Sequence, residues 1–456
     1  MGKTEERIAR WIVETSLETI PPDAVRVVEE AIFDQIGVTL AGAAQPVGKI
    51  ILDYGREAGG TPEASVIGGG YKTSPALAAL INGTCGHALD YDDVGGWGHP
   101  TTVLLPTTLA IGEKIGASGR DIIEAYIIGF EVGYALNRSS RYNQMVRGFH
   151  STAVFGGMAA AAAASKLLRL NPQQTMMALG IVASMGAGIV QNFGTMVKPL
   201  HAGLAARNGV MAAQLAQKGM VASSQFLESR AGWAHAYFGE DAYDTEAMVR
   251  GLGNPFHVQE LIAYKKYPCC YGNHSMLDGL LSILKEHNIR YEDIAGVDVE
   301  QSYLSVVMLY DRPATGLEGK FSVRYNTALA IREGAPRIEH FTDEKVKDPA
   351  LQEAMEKVHI HVRPKWAPTT GGLREPTAVT VRLKDGRTFS KAVPWEQIVA
   401  TQQNPWGEEG LRGKFMFNAS LSLPKERVAQ AAQVWRHIGQ VGDIRTALDL
   451  VRGDGR

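Results

Sequence analysis

Three stretches of this chain, residues 122–136, 153–168 and 176–189, carry apolar side chains on every face that a helix could present. Such a helix has no side to show to water and must be surrounded by other helices. At 456 residues the chain is long enough to do this, and its length allows about three domains. The stretch 151–168 is Ala-rich and broken by Gly156, Gly157 and Lys166, so it reads as a buried helix and not as a membrane span. The start, MGKTEERIARW, has charges where a signal peptide needs an apolar run, and the expected location is the cytoplasm.

With 45% hydrophobic and 21% charged residues, the composition excludes a disordered chain, a coiled coil and a small disulfide scaffold. The 46 basic and 48 acidic residues nearly cancel, so there is no basic footprint for nucleic acid. Of the three cysteines, Cys85, Cys269 and Cys270, two are adjacent, which argues against a disulfide framework and an iron–sulfur cluster alike. The sequence contains no HExxH, CxxC or EF-hand pattern. Gly68–Gly69–Gly70–Tyr71–Lys72–Thr73–Ser74 lacks the Gly directly before Lys that a phosphate loop requires, and it reads as a surface turn. Neither a metal nor a cofactor is expected.

Residues 4–263 form a series of helical segments, with starts marked by Ser74–Pro75, by Ser118 with Asp121, and by Asn171–Pro172 with Gln174. After about residue 261 the texture changes. Residues 295–307, 358–363 and 377–393 alternate apolar and polar side chains with β-branched enrichment, as half-buried strands do, and Lys384–Asp385–Gly386–Arg387 is a hairpin turn. Helix returns over 425–451. The expected fold is mainly α: a large all-helical domain (1–264), an inserted smaller α+β domain (265–402), and C-terminal helices (403–456) that rejoin the first.

Four basic residues share one placement. His99 precedes Pro100–Thr101–Thr102, His150 precedes Ser151–Thr152, Lys198 precedes Pro199, and His274 precedes Ser275. Each sits at an expected helix start, where free N–H groups and the helix dipole favour an anion. A site built from them would hold two or three carboxylates. The acidic string His87–Ala88–Leu89–Asp90–Tyr91–Asp92–Asp93 ends an apolar helix just before His99. On its own it is an ordinary solvated loop, but beside cations an Asp there could act as a base or orient an imidazole. Residues 191–198, with Gly, amide and hydroxyl groups before Lys198, suit a substrate clamp.

These residues carry a resemblance. EAIFDQIGVTLAG, GHALDYDD, GHPTTVLLPTTLAIGE, RGFHSTAVFGGMAAAAAASKLL, NFGTMVKPLHAGLAARNG and YKKYPCCYGNHSMLDGLL, with the weaker GKFSVRYNTALAI, resemble the MmgE/PrpD family over nearly the whole chain and in the family's order. That family includes 2-methylcitrate dehydratases, cis-aconitate decarboxylases and iminodisuccinate epimerases. The resemblance implies a cofactor-independent homodimer in which the α+β domain is a lid. It also implies a small di- or tricarboxylate substrate and an active site of Asp90, His99, His150, Lys198 and His274, with Tyr325 as a further substrate-binding residue.

Two departures stand out. Val94 follows Asp93 where a Thr is frequent in the family, and the approach to His99 is Gly95–Gly96–Trp97–Gly98. Cys269 and Cys270 are expected to pack beside the site. The family's shared step is removal of a proton or CO₂ next to a carboxylate, with preorganised cations meeting the carbanion charge. Lys198 and the helix N-termini would then hold carboxylates. His150 and Asp90 would transfer the proton, while His99 and His274 would bind carboxylate or protonate a leaving group. A hydro-lyase of the 2-methylcitrate dehydratase type, or the related decarboxylase, is the first expectation. An epimerase is the alternative, and a non-catalytic polycarboxylate binder is the lesser one.

Overall fold

Small residues inside the apolar helices decide how this chain packs. A computed structural model describes residues 4–140, 144–302, 306–363 and 377–453. The first part of the chain contains α1 (Thr4–Glu14), α2 (Pro22–Ala43) and α3 (Pro46–Ala58), then a short antiparallel pair, β1 (Ala64–Ser65) and β2 (Lys72–Thr73). There follow α4 (Pro75–His87), α5 (Thr101–Ile115), α6 (Gly119–Ser139), α7 (Ser151–Leu167), α8 (Pro172–Ala183) and α9 (Val197–Gln217). Two short helices, α10 (Trp233–Phe238) and α11 (Val258–Leu261), complete this part.

The side chains of Ala159 to Ala164 are fully buried in α7, which α6 and α9 approach from two sides. A Cβ on Gly129 of α6 would lie 2.7 Å from the Ala159 carbonyl, and one on Gly209 of α9 would lie 2.3 Å from the Ala160 side chain. Another close crossing is between α4 and α9. There a Cβ on Gly83 would meet Gly203 Cα at 2.8 Å, and a Cβ on Gly203 would meet the Leu80 carbonyl at 2.2 Å. The two helices run antiparallel through this point, so the end of α4 lies beside the beginning of α9.

The second part contains α12 (His274–Glu286), β3 (Ile294–Ser302), α13 (Gly316–Gly319), α14 (Val323–Glu333), α15 (Asp343–Val346) and α16 (Pro349–Glu356). The remaining strands are β4 (Val358–Arg363), β5 (Ala378–Leu383) and β6 (Thr388–Ala392), and the sheet order is β4-β3-β5-β6. β3 pairs parallel to β4, with Val297 opposite Val358, and antiparallel to β5, with Val299 opposite Val379. Val379, Val381 and Leu383 alternate inward along β5, against α12. The chain ends in α17 (Gly407–Ser420), α18 (Lys425–Arg436) and α19 (Ile444–Val451), and α17 packs on α2 with Phe415 stacked on Phe33 at 4.4 Å.

The apolar residues form two main cores. One spans α1 to α11 and α17 to α19; the other spans residues 267–383 and takes in Phe193 from the helical part. A small third cluster of Val94, Ala263, Tyr271, Val393, Trp395 and Ile398 lies where the chain passes between them.

The fold is mainly helical, as the sequence predicts, and the capping boxes at Ser118/Asp121 and Asn171/Gln174 are both formed. Several boundaries differ. The helix expected over 176–189 stops at Ala183, because Gly186 and Gly188 (φ +138°) open a loop. Residues 219–257 are mostly turns, with Gly219, Gly239, Gly251 and Gly253 all at positive φ, and the β1–β2 pair interrupts the helices. Helix returns at Gly407, earlier than residue 425. Gly407, Gly410 and Gly413 lower its intrinsic propensity, and burial of Leu411, Phe415 and Ala419 against α2 overrides it. The strand expected over 295–307 ends at Ser302, and its residues 303–305 lie outside the described residues. Among the described residues no helix is long and apolar enough to cross a membrane.

Gly203→Ala tests the α4–α9 crossing. Forcing a methyl against a carbonyl of α4 is expected to cost about 1–3 kcal/mol of stability, read as a lowered urea midpoint at unchanged m. A neutral result would show that the helices can move apart freely.

Candidate active site

The antiparallel crossing brings the last turn of α4 to the first turn of α9. Just beyond α4 the chain bends at Asp90, a non-glycine residue at φ +51°, a conformation that Asp tolerates better than most side chains. Four lysines hold this bend. Lys198, in the first turn of α9, donates to Asp90 Oδ1 at 2.7 Å, and Lys265 reaches the same oxygen at 2.9 Å while donating to the Asp90 carbonyl. Lys320 donates to the Leu89 carbonyl. Lys414 of α17 donates to Asp34 of α2 (2.9 Å) and to the carbonyls of Tyr91 and Lys265 (2.7 and 2.9 Å). All of these side chains are buried. Burial alone would raise the Asp90 pKa, but the Lys198 and Lys265 ammonium groups hold it well below the usual carboxylate range. Burial lowers Lys320 to about 8.

Asp92 organises the imidazoles. Its carboxylate lies 2.9 Å from His87 Nδ1 and 3.1 Å from His99 Nδ1, and these rings overcome its burial and keep it ionised. An ionised carboxylate accepts only, so both Nδ1 atoms carry their protons. His87 Nε2 is then the acceptor for Lys198 Nζ at 2.7 Å, and His99 Nε2 keeps its lone pair. His150, at the start of α7, has Nδ1 3.1 Å from Nδ1 of His201. His274 opens α12 with its ring stacked on Tyr271, and its Nε2 is buried with no hydrogen-bond partner among the described residues; Asp90 Oδ2 is in the same condition.

Burial, reinforced by neighbouring cations, lowers every one of these imidazoles: His87 to about 3, His201 to about 4, and His99, His150 and His274 below the ordinary histidine value. They are neutral near pH 7 and available as bases. Asp93, which accepts from Thr101, is pushed up to about 7, mainly by burial.

Apolar walls keep the cluster dry. The Phe193 and Phe321 rings lie 5.3 and 5.4 Å from Lys198 Nζ, and Phe193 meets the His150 ring edge-on at 4.7 Å. The clamp expected at 191–198 is fastened by Tyr310, whose hydroxyl donates to the Phe193 carbonyl. Gly194 (φ +80°) lies beneath the Tyr310 ring, where a Cβ would fall within 2.5 Å. In the loop before His99, Trp97 is buried and donates to the Phe130 carbonyl. Cys269 and Cys270 are buried thiols with pKa values pushed up, Cys270 to about 11, which suits packing and not thiolate chemistry.

Asp90, His99, His150 and Lys198 thus meet in one cluster, and His274 lies on its Lys265 side, where Lys265, Lys266 and Asp90 act on its charge. Tyr325 does not join them. Its hydroxyl donates to the His340 carbonyl inside the second core, because α14 turns that face toward the sheet domain's own interior. The sequence reading missed His87, Asp92, Lys265, Lys320 and His201. His87 and Asp92 flank Asp90 in the acidic string, and Lys265 begins the Lys–Lys–Tyr–Pro–Cys–Cys string, so the signal was adjacency to residues already chosen.

Two overlapping groups, His87/His99/His150 and His87/Asp90/Asp92/His99, have donor atoms close enough to share a metal ion. The donor set fits one poorly. Lys198 already occupies His87 Nε2 and Asp90, and both Nδ1 atoms are committed to Asp92. With Lys414 paired to Asp34, the ammonium groups of Lys198, Lys265 and Lys320 face Asp90, Asp92 and Asp93; while Asp93, pushed up to about 7, is protonated, the cations outnumber the carboxylates, which favours an anion over a metal cation.

The neutral imidazoles set an acid limit on stability. Below about pH 6.5 the unfolded chain takes up protons that the folded site refuses, so stability falls with pH, for His201 until about pH 4. Asp93 and Asp34, both raised by burial, act in the opposite sense, but five imidazoles outnumber them. Urea titrations should show a lower midpoint at pH 5 than at pH 7; an equal or higher midpoint would contradict the neutral cluster.

Comparison with known proteins agrees with the resemblance read from the sequence. The MmgE/PrpD N-terminal domain matches residues 6–246 and the MmgE/PrpD C-terminal domain matches residues 267–437. Among similar proteins, the cis-aconitate decarboxylase of Mus musculus is 26% identical over 94% of this chain and 89% of its own length. That of Homo sapiens is 27% identical over 92% and 89%, and that of Aspergillus terreus is 26% identical over 99% and 96%. With both family domains matched in order across most of its length, this chain belongs to the MmgE/PrpD family.

Proposed function

We propose that this protein is a lyase that acts on a small di- or tricarboxylate by forming a carbanion next to a carboxylate, without a cofactor. The observation that carries this reading is the shared position of Lys198, which donates to both Asp90 and His87 in a buried cluster walled by Phe193 and Phe321. A substrate carboxylate would bind beside Asp90, drawn by Lys198 and Lys265 while both keep their contacts to Asp90 Oδ1. A neutral imidazole, His150 Nε2 or His99 Nε2, removes the proton from the adjacent carbon. The electron pair spreads onto the carboxylate and toward the ammonium groups, which need no rearrangement at that moment. The unpartnered Nε2 of His274 is suited to the substrate's second polar group.

Dehydration of a hydroxy-polycarboxylate is the first reading, because it begins with proton abstraction and the imidazoles are poised as bases. The carbanion expels hydroxide, which leaves as water after taking a proton from the imidazolium just formed, so that the imidazole ends neutral. Decarboxylation is the second reading and is favoured by the relatives, which are named cis-aconitate decarboxylases. Here the C–CO₂ bond breaks, the pair passes to carbon, and a site proton completes the product. The division into 1–264, 265–402 and 403–456, with the middle part as a lid, belongs to the same proposal and is supported by the separate apolar cores. So does the homodimer, which rests on the family; a sedimentation mass of one chain would contradict it.

Proton NMR in D₂O with citrate, 2-methylcitrate, cis-aconitate and iminodisuccinate tests the reaction. A new vinyl signal from citrate, or collapse of the 2-methylcitrate methyl doublet to an allylic singlet, identifies a dehydratase, and consumption of cis-aconitate with release of CO₂ identifies a decarboxylase. Loss of an α-proton signal alone would replace the lyase reading with an epimerase. Lys198→Ala should lower kcat/KM by about 100-fold or more. A loss within about threefold would remove Lys198 from the mechanism.

A further inference from the structure

His201 lies one turn beyond Lys198 on α9, in the string Lys–Pro–Leu–His–Ala–Gly. The Nδ1–Nδ1 distance of 3.1 Å to His150 is a hydrogen bond between two imidazoles, so a single proton lies between the two atoms. The rest of the surroundings are built to hold this pair. The backbone N–H of His150 donates to the Gly188 carbonyl at 3.0 Å. Gly188 itself (φ +138°) lies on the His201 ring, and a Cβ there would fall 3.1 Å from the ring and 2.8 Å from the Ala153 side chain. His150 is enclosed by Phe193, His87 and His99, whereas His201 is covered by the loop 184–190, each residue of which is at least partly exposed. The pair therefore runs from the enclosed cluster to a ring that is itself buried, 4% exposed, directly beneath that loop.

We propose that His201 is a positioning and relay residue for His150, exchanging the shared Nδ1 proton whenever His150 Nε2 exchanges a proton with the substrate. This rests on the reading above that His150 faces the reacting carbon. In the forward direction the substrate C–H bond breaks and its proton joins His150 Nε2, while the electron pair stays on carbon. The His150 Nδ1–H bond breaks as the same proton bonds to His201 Nδ1, and His201 gives up its Nε2 proton to solvent water. Both rings end neutral, each in the other tautomer, and one proton has moved from carbon to water.

The electrostatics explain the need. The groups facing His150 are Lys198 and His201 on α9, His87 at the end of α4 and His99 before α5; Lys198 also faces His201. An imidazolium held at His150 would sit beside Lys198 in a dry enclosure. Passing the charge to His201 moves it toward the loop and water.

The full chain labelled with ¹⁵N-histidine supplies a readout independent of turnover. A ring N–H signal protected from exchange at pH 7, lost in both His150→Asn and His201→Leu, is expected for the shared proton; its absence from the unsubstituted protein would overturn the proposal. In assays with citrate, 2-methylcitrate and cis-aconitate, His201→Leu should lower kcat by about tenfold or more with KM within about threefold. The acid limb of its kcat–pH profile should shift, and added imidazole should restore part of the rate. His201→Asn, whose amide can occupy the Nδ1 position but cannot pass a proton through, should keep KM and still lose kcat. Unchanged kcat and pH profile in both variants would overturn the relay. If the unsubstituted protein turns over none of these acids, the lyase reading fails, and the ring N–H signal still supports or overturns the pair.

Discussion

A buried carboxylate, that of Asp90, ties distant parts of this molecule together, and much of the architecture serves to keep it charged. Asp90 Oδ1 receives Lys198, 108 residues away in the chain, and Lys265, 175 residues away. Leaving such a carboxylate without either partner would cost on the order of 3–5 kcal/mol. The end of α4, the start of α9 and the segment entering the second core are therefore tied to one another. Lys414 extends the tie to the C-terminal helices, since its three hydrogens go to Asp34 and to the carbonyls of Tyr91 and Lys265. The last helices support the site from behind.

Helix starts supply the functional groups. His99 and His150 immediately precede or open α5 and α7, Lys198 lies in the first turn of α9, and His274 opens α12. Helix N-termini each carry partial positive charge, so bringing several together is unfavourable unless an anion sits among them. Asp90 and Asp92 meet part of that demand, and the surplus left over is what an anionic substrate would satisfy. Gly83 and Gly203 make the convergence possible, because any larger residue at the crossing would separate α4 from α9 and Asp90 from Lys198.

Dryness has two opposite effects here. It strengthens each ammonium–carboxylate contact, and it also denies the imidazoles their protons, leaving them as bases at neutral pH. Asp92 settles which nitrogen of His87 and His99 is free, and His201 bears on the same question at His150. The cost is a site that opposes folding at mildly acid pH, a common tension between a preorganised site and stability.

Much of this was legible in the residues alone. The all-round apolar stretches required a buried helical bundle, the change in pattern near residue 261 marked where strands begin, and the Gly–Thr–Met–x–Lys–Pro–Leu–His–Ala–Gly string carried the family. Asp90, His99, His150, Lys198 and His274 could be chosen because residue type and helix-start position are local properties. What locality could not reach was decided by packing. α17 forms despite three glycines because α2 buries its apolar face, and the loop that Gly186 and Gly188 open at 184–190 is folded so that Gly188 lies on the His201 ring. Tyr325 had a suggestive local string, but the direction of its hydroxyl depends on how α14 meets its own core. His87, Lys265 and Lys320 owe their importance to partners distant in the chain, and Asp92 to the way the turn after α4 aims it at the nearby rings of His87 and His99. The sequence by itself determined which side chains were available and that the helices would be buried; only the tertiary structure decided which of them share one carboxylate, because charge pairing in a dry interior depends on distances of a few ångströms between segments that the chain keeps far apart.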